Sequence, residues 1–427
     1  MKRLSTILSI IALMSLVAHA QTMTLEDCLT EGIDSSFQVR LVRIQQEQSA
    51  NNDSWSNAGA LPTVNLSGTY STRDLESHSM NAQVRADWTV FDGFGVQATH
   101  QRLQQLHRQG DLQFRVSLED YVASLASEYY NLVRQTIKLK NLEYAVSLSK
   151  ERLRVARERY DMGGNSRLEY QQALVYFNAD SAQSLKQHEA LASARIRMNR
   201  IMSNSDLGRM IVAADTAIEL SSMPDYETLL DWMMATNGSI LKAESTSEMA
   251  QIDRRTVQSR NYPYLKLNAG YGVTHNIGSD MTSTDWSPNL GATVGMNIVT
   301  GKQRTQERNA RLDVLSAEIS QQQLELQLRA NLDDLWQSYL NNLLLVELQE
   351  SNLKTAQETM EVAQERYMLG DLSGIEMREA QKSLLDAEES LLQAQYDTKI
   401  CEISLMQISG RLLDLLNLVK PVENSGF

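Results

Sequence analysis

Leu118, Leu125, Leu132, Leu139, Val146, Leu153 and Tyr160 recur at every seventh position, and Leu332, Tyr339, Val346, Leu353, Met360 and Tyr367 do the same further along. An apolar residue at every seventh place, sustained over many turns, describes helices that supercoil against neighbours. The blocks carrying these repeats, about Gln97 to Met162 and about Lys302 to Leu369, contain Gly110 but no proline. Each predicts a helix of roughly 65 residues, or roughly 100 Å at 1.5 Å per residue. No ordinary globular core is that deep. A fibrous coiled coil is the simplest reading of the helices alone.

The two blocks also say the same thing. "ERYDMGG" from Glu158 is matched by "ERYMLGD" from Glu365, an offset of 207 (367 − 160) between Tyr160 and Tyr367. At that offset Gly163 meets Gly370, Glu169 meets Glu376 and Ala173 meets Ala380, and the heptads stay in phase. "LPTVNLSGTY" from Leu61 resembles "YPYLKLNAGY" from Tyr262, and "TVFDGFG" near Asp92 resembles "NIVTGKQ" near Thr300. So long a period signals two copies of one unit, residues 21–220 and 221–427. Each predicts a helix, two strands, a long helix, a tight turn near 163 or 370, and a returning helix. The strands fall at about 62–73 and 82–92, then at about 263–275 and 286–299.

Those strands argue against a purely fibrous protein. Val84, Ala86, Trp88 and Val90 alternate with polar residues, as do Leu265, Leu267, Ala269, Tyr271 and Val273. Leu290, Ala292, Val294, Met296 and Ile298 alternate with polar residues or glycine, and Val64, Leu66 and Tyr70 carry the first strand. Short polar loops, about Asp74 to Met80 and about Asn276 to Asp285, join each pair. Period-two alternation over about ten residues, with Trp or Tyr near the ends, marks outer-membrane strands. A half-buried soluble sheet has the same periodicity. In lipid an open sheet edge leaves backbone groups without partners, and the smallest barrels use about eight strands. Four strands in a membrane therefore require several copies sharing one barrel.

The start of the chain fits an exported protein. Met1-Lys2-Arg3, the apolar run Leu4 to Val17 and Ala18-His19-Ala20 have the three parts of a cleavable signal peptide, residues 1–20. Cleavage leaves about 407 residues, and losing Lys2 and Arg3 takes the net charge from −13 to about −15. That charge excludes nucleic acid as a partner, since such binding needs a basic face. No other stretch of about 20 apolar residues occurs, so no transmembrane helix is expected. Cys28 and Cys401 either pair in an oxidising compartment or remain two buried thiols. The six His are scattered, with His100 and His107 seven apart on one helix. There is no His-Glu-x-x-His, Cys-x-x-Cys, phosphate-binding loop or nucleophile elbow. Neither catalysis, nor a cofactor, nor a metal centre is expected.

Leu61-Pro62, Val90-Phe91-Asp92-Gly93 and Arg159-Tyr160 with Gly163 through Ala173 resemble the TolC family of outer-membrane efflux proteins. So do their second copies, Tyr262-Pro263, Gly301 and Arg366-Tyr367 with Gly370 through Ala380. Thr300 departs from the family's usual Asp. The resemblance implies a mixed membrane protein, mostly α and internally duplicated. Its homotrimer would share a 12-stranded β-barrel and continue as a coiled-coil α-helical tunnel, in the outer membrane with a periplasmic extension. It also implies a passive exit duct of a tripartite efflux or type I secretion system, docking to a periplasmic adaptor (membrane fusion) protein and an inner-membrane pump. The alternative is a non-conducting periplasmic coiled-coil scaffold.

The turns carry the expected site. Gly163, Gly164 and Gly370 permit the positive φ of a helix C-cap, and Ser166 or Ser373 can cap the returning helix. The resemblance makes Gly163, Gly164, Asn165, Ser166 and Arg167, with Gly370, Asp371, Leu372, Ser373 and Gly374, the adaptor-docking tip. Glu376 and Glu379 share a helix face, which by itself reads first as a solvated surface in so acidic a chain. The family places acidic residues at these positions, facing the tunnel axis. By that likeness Glu376 and Glu379 form stacked acidic rings, with Glu169 the first-repeat counterpart of Glu376, favouring cations and sealing the resting channel. Arg378 between them would brace the closed tip. Segments Asn204–Tyr226 and Gly410–Phe427 break the heptads and are expected to form a belt.

Overall fold

The computed structural model describes residues 21–72, 77–163, 166–277, 282–298 and 301–415. The signal segment, Gly164, Asn165, Thr300 and the part of the C-terminal belt beyond residue 415 lie outside them. The chain runs β1 (Gln21–Met23), α1 (Leu25–Ser35), α2 (Phe37–Asn52), β2 (Thr63–Thr72), β3 (His78–Phe91), α3 (Gly95–Asp161) and α4 (Arg167–Ile201). It continues with β4 (Ile211–Ala213), α5 (Tyr226–Thr236), α6 (Gly238–Ser259), β5 (Tyr264–Ile277), β6 (Thr282–Gly295), α7 (Gly301–Leu369), α8 (Gly374–Ile408) and α9 (Leu412–Leu415). Two helices, two strands, a long helix and a shorter helix thus follow one another twice. The long helices have 67 and 69 residues. Two compact units form, one from the chain up to Leu41, Ser117–Asn237 and Leu328 onward, the other from Val42–Val116 and Gly238–Gln327.

The second of these units holds a four-stranded antiparallel sheet in the order β2-β3-β5-β6. Its register sets Leu66 opposite Val84, Val84 opposite Tyr271, and Ala269 opposite Leu290. Because side chains alternate along each strand, the apolar residues of all four strands fall on one face. Asn65, Arg85, Asn268 and Asn289 lie on the other. Val64, Leu66, Tyr70, Trp286, Leu290 and Val294 are all exposed, Leu290 at 86%. Among the described residues no chain segment covers this apolar face, and β2 and β6 each present a free edge.

The strands extend further toward the hairpin ends than their apolar alternation suggests. β3 begins at His78 rather than near 82, and β6 spans 282–295 rather than about 286–299. The backbone ladder does not depend on side-chain polarity, and polar pairs continue it. Tyr70 Oη and His78 Nδ1 bond at 2.8 Å, and Ser79 Oγ donates to Asn276 Oδ1 at 2.7 Å. At the other end β6 stops at Gly295 because its partner β5 begins opposite, at Tyr264 after Pro263. Between β3 and α3, Gly93 has φ 73°, and a Cβ there would lie 2.3 Å from the Ser259 carbonyl oxygen. Only glycine fits that turn. Asp92 Oδ1 then accepts from Val96 N at 3.0 Å and starts the helix.

The other unit packs the remaining lengths of α3 and α7 with α4 and α8. α7 follows its heptad faithfully: Leu332, Tyr339, Val346, Met360 and Tyr367 are buried, with Leu353 packed against the same cluster. α3 does not. Leu125, Leu132 and Leu139 are buried, but Val146 and Leu153 are half-buried and Tyr160 is 39% exposed. The buried stripe shifts to Ala145, Ser149, Arg152 and Ala156. Contacts with α4 and α8 together choose that face.

Around the helices, β1 pairs in parallel with β4. Arg209 pairs with Glu31, and the buried Tyr129 donates to Met23 O at 3.2 Å. Gly410, φ 70°, ends α8 with bonds from its own N to Gln407 O and from Arg411 N to Met406 O. This two-bond C-cap satisfies carbonyls that the helix end leaves free. The described parts of the expected belt lie here. Cys28 is buried and Cys401 half-buried, and both are free thiols, which removes the disulfide alternative. Among the described residues no helix is long and apolar enough to cross a membrane.

Candidate functional site

The helical-hairpin turns are built by local chemistry. Gly370 takes φ 88°, donates to Tyr367 O at 3.2 Å, and is followed by Asp371 N to Arg366 O at 2.9 Å. Gly163 takes φ 79° and donates to Tyr160 O at 2.9 Å. A left-handed residue lets the chain reverse while capping the last carbonyls, and glycine adopts it without Cβ strain. Ser166 Oγ accepts from Glu169 N, and Ser373 Oγ accepts from Glu376 N at 3.3 Å. Both returning helices therefore start on serine caps, as the sequence predicts. Gly164 and Asn165 lie outside the described residues.

Glu376 has a task within its own chain. Its Oε2 accepts from Ser373 N at 3.0 Å and from Ser373 Oγ at 2.7 Å, completing a capping box. Those two hydrogen bonds hold its carboxyl below the usual range. Glu376 and Glu379 share a groove between α7 and α8 with Arg366, and both are exposed. Glu169 lies apart from them. It lines a cavity of about 310 Å³ with Arg152 and Arg159, bounded by the turn of the other hairpin. The three carboxylates thus form a pair and a single residue rather than one cluster.

Arg378 faces away from Glu376 and Glu379 and into the seam between the hairpins. Its Nη1 donates to Asp180 Oδ2 at 2.6 Å, and its guanidinium lies 5.2 Å from the Tyr176 ring centre. Asp180 is buried and also receives Ser149 Oγ. Gln381 Nε2 donates to Ala145 O and to Ser149 Oγ, each at 3.1 Å, and Arg152 Nη1 donates to Gln381 Oε1 at 3.2 Å. The Arg152 guanidinium also lies 5.2 Å from the Tyr176 ring centre, with its Nε and Nη2 buried and unpaired. Burial and the neighbouring Arg378 charge depress its pKa. The seam joining α3 and α4 to α8 is therefore a buried polar network. Sequence reading located Arg378 but missed Ser149, Arg152, Asp180 and Gln381. The available signal was polar residues at positions that continue an apolar stripe, such as Ser149 and Arg152 between Ala145 and Ala156.

Among the described residues no group of His, Cys, Asp and Glu could hold a metal ion. His107 Nδ1 and Asp53 Oδ2 lie 3.1 Å apart beside His100, and Trp55 stacks on His100 at 4.0 Å. That contact joins α3 to the residue just after α2.

A sequence profile described as "Outer membrane efflux protein" matches residues 229–411. The Outer membrane protein TolC of Vibrio cholerae is 20% identical over 96% of each chain. The crystal structure of the outer membrane protein VceC, also from Vibrio cholerae, superposes with a TM-score of 0.73 at 17% identity. It covers 90% of this chain and 96% of that one. The CmeC outer membrane channel of Campylobacter jejuni superposes with a TM-score of 0.73 at 15% identity, covering 91% and 86%. At these identities the structural likeness is one of fold.

Proposed function

On the premise that this chain is a member of the TolC family of outer-membrane efflux proteins, we propose that it is a passive exit duct completed by three copies. One observation carries this reading. All four strands turn their apolar residues to one face, that face is uncovered, and both sheet edges are free. Lipid would cover the face, and only other copies can pair the edges without leaving backbone groups unsatisfied in hydrocarbon. Three sheets of four give a twelve-stranded barrel, within the range of known closed barrels. The polar face then lines a lumen, which discriminates little between solutes, so cargo selection rests with the pump upstream.

On this reading residues 21–220 and 221–427 are two structural repeats. The turns Gly163–Arg167 and Gly370–Gly374 meet a periplasmic adaptor, which links the duct to an inner-membrane pump of an efflux or type I secretion system. Glu376 and Glu379 form the acidic ring that admits cations and restricts the resting channel. The test is the mass of the detergent-purified protein, followed by planar-bilayer conductance of the same sample. A trimer with small, cation-preferring currents supports the duct, and a water-soluble species without currents overturns it. Glu379→Ser, which leaves the capping box intact, should reduce cation preference. Unchanged selectivity in that variant and in Glu376→Ser/Glu379→Ser would remove the acidic ring from the account.

A further inference from the structure

The apolar face of the sheet ends in aromatic rings where strands give way to helices. β3 stops at Phe91 and β5 starts at Tyr264, and these are the two inner strands. The ladder between them skips Val90, which sets Phe91 opposite Leu265 and so on the same face as Leu267 and Tyr271. Phe94 stands edge-on to two further rings, with centres 5.3 Å from Phe91 and 6.3 Å from Tyr262. Trp88, opposite Leu267, donates Nε1 to Ala60 O at 2.8 Å, so polar backbone begins at this depth.

Phe94 takes φ 72°, as only one other non-glycine residue does among those described. A side chain in that left-handed region crowds the following carbonyl, and such strain persists where the surroundings make use of it. Packing within the chain offsets little of it, because the Phe94 ring is 55% exposed and the Tyr262 ring beside it 53%. Phe94 and Tyr262 also line a cavity of about 660 Å³, whose walls carry Gln97, Gln101, Arg255 and Glu307. Arg255 is exposed, and its one hydrogen bond is long, from Nη1 to Gln101 Oε1 at 3.5 Å. Glu307 accepts from Asn261 Nδ2. One cation, one anion and two side-chain amides thus face a space bordered by bare aromatic rings.

We propose that this pocket holds the headgroup of a phosphoethanolamine lipid from the leaflet nearest the helices. The inference rests on the lipid-facing reading of the sheet above and gives the edge of that face a specific ligand. Arg255 offers its guanidinium fork to the phosphate, and Gln97 and Gln101 donate amide hydrogens to the same oxygens. Glu307 takes the ammonium. Phe91, Phe94 and Tyr262 lie along the glycerol and the first acyl carbons, at the depth where aromatic rings are favoured. A headgroup with net negative charge would meet the Glu307 carboxylate, and a choline headgroup has no N–H to give it. Phe94 and Tyr262 adjoin the inner strands, away from the free edges of β2 and β6 where other copies would pair, so the rings stay open to lipid in the assembly.

The experiment is native mass spectrometry of the full-length protein, delipidated in detergent and given back dioleoyl-phosphatidylethanolamine, -phosphatidylglycerol or -phosphatidylcholine. One ethanolamine lipid retained per chain, several-fold above the other two, is expected. Arg255→Gln should cut that retention several-fold, and Glu307→Gln should erase the preference for ethanolamine over choline. Phe94→Gly frees the left-handed backbone, so it should cut retention several-fold without lowering the thermal midpoint in detergent. If the protein requires detergent but holds the three lipids equally, or if Arg255→Gln and Phe94→Gly retain lipid as before, the headgroup assignment is wrong and the lipid-facing sheet stands. A protein that is a soluble single chain without detergent removes the lipid-facing reading and this inference with it.

Discussion

Arg378 Nη1 donates to Asp180 Oδ2 at 2.6 Å, joining α8 to α4 across 198 positions of sequence. Asp180 is 4% exposed at its side chain and Arg378 20%, so water screens the pair only from one end. Removing one partner of a buried pair leaves the other charge uncompensated. Asp180→Ala should destabilise the protein by roughly 2–4 kcal/mol, reading the usual range downward for the partly wet arginine. The loss would appear as a lower thermal midpoint in detergent. Asp180→Asn, which keeps an oxygen for Ser149, should lose less.

The same pair bears on the channel. Arg378 holds α8 against α3 and α4 through Asp180, while Gln381 bonds the α3 backbone. Arg378→Ser should loosen that seam and raise single-channel conductance several-fold in planar bilayers. Unchanged conductance in a correctly assembled variant would assign the pair to stability alone.

Glu376 supplies a pH dependence at the start of α8. Its hydrogen bonds from Ser373 depress its folded pKa. A depressed carboxyl contributes stability above its unfolded pKa and loses it as pH falls through the folded value. Amide exchange in the first turn of α8 should therefore speed up on acidification through and below the ordinary carboxylate range. Ser373→Ala should give fast exchange at every pH and flatten the profile.

Glu388 should show the opposite sign. It sits on α8 with Oε2 buried and unpaired, and burial raises its pKa. A raised carboxyl contributes stability below its unfolded pKa and loses it as pH rises through the folded value. Glu388→Gln, which removes the half-buried charge and keeps the shape, should then stabilise the protein at neutral pH. The gain should vanish in acid, which thermal melts at two pH values would show.

Cys28 is fully buried, and burial with the nearby Asp27 and Glu31 charges pushes its thiol up to about 12. Thiol reagents react with the thiolate. Cys28 should resist maleimide in the folded protein at pH 8, and only denaturation should make two thiols titrate quickly. Half-buried Cys401 should react first.

Much of this was legible because it is local or periodic. Tyr339, Val346 and Met360 announce the buried edge of α7 by spacing alone, and Gly370 with Ser373 announces the turn. The sheet's apolar face follows from Leu66, Val84, Tyr271 and Leu290, each readable in its own strand. The seam was not legible. Asp180 meets Arg378 across 198 positions and Arg152 meets Gln381 across 229, so only the pairing of hairpins reveals them. The drift of the α3 stripe from Val146 and Leu153 to Ser149 and Arg152 has the same origin. Two neighbours rather than one decide which side of that helix is covered. Glu169 and Glu376 share a repeat position, yet one lines a cavity with Arg152, Arg159 and the other hairpin's turn, and the other shares a groove with Glu379 and Arg366.

The sheet of β2, β3, β5 and β6 also constrains how the protein is made. A strand edge with free N–H and C=O groups beside a bare apolar surface is a template for wrong pairing in water. On the proposed three-copy reading, no single chain reaches a finished state by folding alone. On that reading the strands must stay unpaired or shielded between export and insertion, and the last steps of folding, association and entry into lipid must coincide. The lifetime of the lone chain, rather than the strength of its helices, then sets how much product the cell obtains.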